Sequence, residues 1–126
     1  MSHLNGLLIV AFSVISIVPP YARAQQPDTA KLKADAQKVI SSISIDKAKI
    51  EAHCEVTNLG GRAVEAAQEN NEKKADALMQ RIDDLEKILG PEYPALFNAL
   101  YDADPNSKDV QDILSMFAML DQSCPD

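Results

Sequence analysis

The sequence predicts an all-α fold, a small antiparallel bundle of about five helices with one disulfide. Three observations point there. Apolar residues recur three and four positions apart along most of the chain beyond residue 25. No segment shows the alternating, β-branched pattern of a strand. Both cysteines, Cys54 and Cys124, lie beyond the N-terminal apolar segment and are even in number, so they can form one bridge.

The N-terminal 24 residues read differently from the rest. A charge-free apolar run from Leu7 to Val18 is followed by Pro19-Pro20 and then by Ala22-Arg23-Ala24 ahead of a polar stretch. As a helix that run rises only about 18 Å, against the roughly 30 Å hydrocarbon core of a bilayer. Small residues at 22 and 24 suit a signal peptidase. The expectation is therefore a secretory signal at 1–24, cleaved after Ala24, and a single helical domain at 25–126. The expected destination is outside the cytoplasm, in the periplasm or the extracellular medium.

The chain has a formal net charge of −7, and losing residues 1–24 removes Arg23 and no acid, leaving the remainder one unit more acidic. That balance repels nucleic acid and anionic membrane surfaces. With no tryptophan, the core must be built mainly from Leu, Ile, Val and Ala.

Pro27-Asp28 opens the first helix, whose stripe is Leu32, Ala36, Val39, Ile40 and Ile43, with lysines and Asp35 outside it. Asp46 is an N-cap for the second helix, roughly 47–69, with Ile45 and Ile50 placed for a hydrophobic staple. This helix is apolar on two sides. Ile50, Cys54, Gly61 and Val64 share one, while Ala52, Val56, Leu59, Ala63 and Ala66 lie on the other. Gly60-Gly61 costs about 1 kcal/mol per glycine relative to alanine, but apolar positions resume in phase beyond it, so the helix is expected to continue.

A turn capped by Asn71 leads to a third helix, roughly 72–89, with Ala75, Leu78, Met79, Ile82, Leu85 and Leu89 as its stripe. Gly90-Pro91 stops it. Pro94 suits the first turn of a fourth helix, whose stripe is Tyr93, Leu96, Phe97, Leu100 and Tyr101. The fifth helix, roughly 108–122, carries Val110, Ile113, Leu114, Phe117 and Leu120 on one face. Carrying that phase forward brings Cys124 onto the same face if the helix extends.

Exported cysteines in an even number pair. A Cys54–Cys124 bridge closes a loop of about 70 residues, which the chain-entropy model values at roughly 4 kcal/mol. Zinc would need a carboxylate to complete Cys54, Cys124 and His53, and a thiol-dependent enzyme at His53 and Cys54 would need the bridge to be absent.

Among other constellations, Asp102, Asp104 and Asn106 place oxygen side chains at alternate positions between two helices, as at the start of an EF-hand loop. Ser107 stands where the turn glycine belongs and Ile113 where the bidentate glutamate belongs, so a capped turn is the competing reading. Tyr93, Phe97 and Tyr101 form either a core stripe or one wall of a ligand cavity, to which Met79, Met116 and Met119 would add adaptable side chains. Phosphate-binding glycine loops, G-x-S-x-G, H-E-x-x-H and C-x-x-C-H are all absent. The sequence implies no cofactor and no catalysis. The expected function is binding: a protein partner in the exported compartment, in a chaperone-like role as one form of it. The alternatives are a small-ligand or calcium-binding module, or a thiol-dependent enzyme.

Overall fold

The computed structural model describes residues 26–126; the 1–24 signal reading lies outside them. Five helices follow in order: α1 (Thr29–Ser44), α2 (Lys47–Gln68), α3 (Glu72–Leu89), α4 (Glu92–Asp102) and α5 (Lys108–Asp121). The described residues contain no strand.

Side chains define three of the starts. Asp28 accepts from the amides of Ala30 and Lys31 at 3.1 and 3.2 Å, and Asp46 from those of Ala48 and Lys49 at 2.9 and 3.3 Å. Asn71 accepts from the Lys74 amide at 3.1 Å. Each satisfies amide donors that the first turn leaves without an intrahelical partner. Gly90, at φ 96°, ends α3 in a conformation that a side chain disfavours. Its amide donates back to the Glu86 carbonyl at 3.0 Å.

One hydrophobic cluster draws on all five helices, from Leu32, Ala36, Val39 and Ile43 on α1 to Val110, Ile113, Phe117 and Leu120 on α5. In α1, α3 and α5 the buried positions alternate spacings of three and four, as at 82, 85 and 89 or 110, 113, 117 and 120. That alternation averages 3.5 residues, close to the helical repeat, so the buried seam stays on one side. A step of four alone advances about 40° beyond a full turn. Met79, Phe97 and Leu114, assigned to buried stripes from sequence, sit one such step off the seam and are exposed.

α2 and α3 form the most extensively packed helix pair. They are antiparallel neighbours joined by a tight turn. Arg81 reaches across to Glu55 through two hydrogen bonds of 2.9 and 3.3 Å. The cluster ends on α2 at Leu59. Ala63 and Ala66 are buried beyond it, where small side chains let α3 approach closely. This corrects the two-sided reading of the second helix: Val64 and Gly61 are exposed, because the far half of α2 has a neighbour on the α3 side and none over Val64. The staple is corrected as well, since Ile45 is 88% exposed and its side chain is not buried against Ile50.

α2 runs unbroken through Gly60-Gly61. A Cβ added to either glycine meets nothing within 4 Å, so no close approach requires them. Gly60→Ala and Gly61→Ala should each raise stability by about 0.5–1 kcal/mol, measured by urea unfolding. A loss of stability would indicate a packing role for these positions.

α1 and α5 are tied at their N-terminal ends. The Thr29 hydroxyl donates to Asp109 at 3.0 Å, and Lys33 Nζ donates to Asp112 at 2.7 Å. Lys108 donates to the same Asp112 oxygen at 3.1 Å. Hydrogen bonds from the two lysines hold the Asp112 carboxyl below the usual carboxylate range. This tie therefore exists above that range and weakens as acid protonates Asp112.

Candidate functional site

Two constellations lie on opposite sides of α4. On one side α2, α4 and α5 meet. Sγ of Cys54 and Sγ of Cys124 are bonded at 2.03 Å, with the α-carbons 5.5 Å apart, and neither cysteine is free. The expected pairing is therefore present, by a route different from the one expected. α5 ends at Asp121, and the chain reaches Cys124 through turns in which Ser123 and Cys124 donate to the Leu120 and Asp121 carbonyls at 2.9 and 3.0 Å.

Beside the bridge stands His53, 2% exposed and, among the described residues, the one polar or charged residue in the buried set. Its Nε2 lies 2.7 Å from Asp121 Oδ1 and its Nδ1 lies 2.9 Å from the Tyr93 hydroxyl. A carboxylate only accepts, so Nε2 carries the hydrogen and donates to Asp121. In the neutral ring, Nδ1 then accepts from the Tyr93 O–H. The imidazole ring lies 5.9 Å from Phe117, and Phe97 bridges Tyr93 and Phe117 at 4.8 and 5.0 Å between centroids. Every polar atom of the imidazole is thus satisfied, at the junction of three helices.

Tyr, His and Asp in a chain superficially resemble a proton relay. Here the terminal hydroxyl is inaccessible: Tyr93 is 3% exposed, and burial pushes its phenol well above the ordinary tyrosine value, aided by the negative charges of Glu86 and Asp121. The arrangement instead makes a clasp that fixes α5 to α2 and α4.

On the other side of α4, facing α1, is a half-open groove of about 720 Å³. Its floor consists of Leu32 and Val39 from α1, Leu89 from α3 and Leu96 from α4, with Ala99 half-buried beside them and Ala95 exposed at the edge. Its rim carries Lys31, Asp35, Lys38 and Ser42 from α1, Lys49 from α2 and Glu92 from α4. Lys31 is paired with Asp35 at 2.7 Å. Lys49 Nζ donates to the Ser42 hydroxyl at 2.7 Å, across the α1–α2 junction. Neither Lys38 nor Lys49 has a carboxylate within ion-pair distance among the described residues.

The aromatic stripe is divided by this geometry. Tyr93 is core, Phe97 is 38% exposed at the edge of the aromatic cluster, and Tyr101 is 91% exposed. The progression 93, 97, 101 advances by four each time and leaves the seam, whereas Tyr93, Leu96 and Ala103 stay buried. Tyr101 is corrected as a core or cavity residue, and none of the three aromatics lines the groove.

In the linker, Asp104 Oδ1 accepts from the Asn106 amide at 2.9 Å, and the Ser107 amide donates to the Asp104 carbonyl at 3.0 Å. These are turn interactions that lead into α5. Among the described residues no group of three or more His, Cys, Asp or Glu is placed to hold a metal ion, so Asp102 and Asp104 are not gathered with other carboxylates. No described helix is long and apolar enough to cross a membrane.

Two features escaped the sequence reading. His53 was visible as the lone histidine beyond residue 25, flanked by Ala52 and Cys54 on the two sides of its helix, a position that buries an intervening side chain when neighbours close on both. The groove left no trace, because Lys31, Lys38 and Lys49 read as an ordinary solvated face. Compared with protein-family models, curated proteins and solved structures, the chain matches none.

Proposed function

We propose that this chain is an exported binding protein without catalytic activity, and that the groove between α1 and α4 is where a small apolar ligand is held. The groove carries this reading: about 720 Å³ falls within the range typical of ligand sites, and its aliphatic floor is ringed by six polar or charged residues. Export rests on the N-terminal segment and is supported by the Cys54–Cys124 bridge, a bond that persists in oxidising compartments. The clasp holds α4 through Tyr93, whose hydroxyl bonds His53 of α2.

Nile red, a neutral dye, should bind the oxidised protein with a blue-shifted emission. Ala95→Trp, which places an indole in the groove from an exposed position, should abolish the signal while leaving the fold intact by circular dichroism. Dye binding unaffected by Ala95→Trp would refute the groove as the site.

A protein partner is the second reading, favoured by the exposed Tyr101, Leu114 and Met119. A chaperone-like role of that kind requires suppression of client aggregation that Tyr101→Ala weakens.

A further inference from the structure

We infer that the groove's ligand is a single-chain amphiphile with an anionic head, an alkyl carboxylate whose chain lies on the apolar floor and whose head meets Lys38 and Lys49. The inference rests on the groove being a binding site, and adds the chemical class of what it binds.

The floor selects against peptides. Leu32, Val39, Leu89 and Leu96 offer side chains with no hydrogen-bonding group, so the amides of an extended peptide that face the floor would find no partner there. A helical peptide satisfies its own amides but is about 10 Å across, and would fill 720 Å³ in fewer than two turns. An alkyl chain has no polar group to satisfy.

The rim selects the head. The chain as a whole carries a net charge of −7, yet the groove rim holds Lys31, Lys38 and Lys49 against Asp35 and Glu92. The Lys31–Asp35 pair is closed at 2.7 Å. Glu92 makes no ion pair with any described lysine. Lys49 is held by a neutral hydroxyl, Ser42, which fixes the ammonium without neutralising it and leaves it two further hydrogens to donate. Lys38 also has no carboxylate within ion-pair distance. Five of the nine described lysines pair with a carboxylate, and Lys38, Lys49, Lys73 and Lys74 do not. Lys38 and Lys49 are the two of these four on the groove rim, where they make a local positive site at which an anion is favoured by charge-assisted hydrogen bonds.

The test is calorimetric titration of the oxidised protein with decanoate, decanol and decyltrimethylammonium, each below its micelle concentration. Decanoate should bind about tenfold more tightly than decanol, and the cation most weakly. Added salt should reduce the decanoate preference. The double variant Lys38→Gln/Lys49→Gln should bind decanoate and decanol alike, whereas Lys47→Gln, an exposed position outside the groove, should keep the preference. Equal binding of decanoate and decanol by the unmodified protein would overturn the anionic head while leaving the groove as an apolar site. Binding of none of the three, together with no Nile red signal, would overturn both.

Discussion

Replacing Cys54 and Cys124 together by serine should lower the free energy of unfolding by about 4 kcal/mol, read from urea denaturation at neutral pH. The bridge joins residues 70 apart in sequence, and a cross-link of that span removes a large share of the unfolded chain's conformational freedom. For a domain of this size, whose total stability is typically 5–15 kcal/mol, that loss is a substantial fraction. The urea m-value should rise, because an uncross-linked chain exposes more surface on unfolding. Thiol titration of the unfolded, unreduced protein should find no free thiol. A stability change below about 1 kcal/mol would mean that the clasp and core hold α5 without the bridge.

His53→Ala should cost about 3–4 kcal/mol. It opens a cavity beside Phe117 and leaves the buried Tyr93 hydroxyl without a partner, while Asp121, with its side chain 43% exposed, turns to water at little expense. Tyr93→Phe should cost less, about 1–2 kcal/mol, because only Nδ1 loses its partner and the ring is kept. The two changes should be non-additive in a double-mutant cycle, since they break the same hydrogen bond. Alkaline unfolding provides a second readout. Burial raises the Tyr93 phenol above its ordinary value of 10.0, so the native state keeps a proton that the unfolded state releases. The Tyr93 contribution is constant below pH about 10 and is lost as the pH rises beyond it. Tyr93→Phe should remove this component of the alkaline decline.

The helices were legible because their signals are local. Asp28, Asp46 and Asn71 cap from within their own first turns, and Gly90-Pro91 stops α3 by backbone geometry alone. The bridge was legible because two cysteines allow one intramolecular pairing. The buried seam was read too widely: Met79, Phe97, Tyr101 and Leu114 are apolar and near the right phase, and only the closeness of neighbouring helices decides which side of a stripe is covered. Val64 failed for a related reason, since α2 extends past the helices that cover its first half. The groove and the clasp arise from contacts between distant segments. Nothing in the sequence near His53 foretells Tyr93 and Asp121, 40 and 68 residues away, as its partners.

The position of the ligand is the point on which the account stands. Two-dimensional NMR of the isotopically labelled, oxidised protein titrated with decanoate tests it residue by residue. The largest amide and methyl shifts should fall on Leu32, Val39, Leu89, Leu96 and Ala99, with Tyr101, Leu114 and Met119 unmoved. Shifts concentrated on Tyr101, Leu114 and Met119, or no shifts at saturating decanoate, would contradict it.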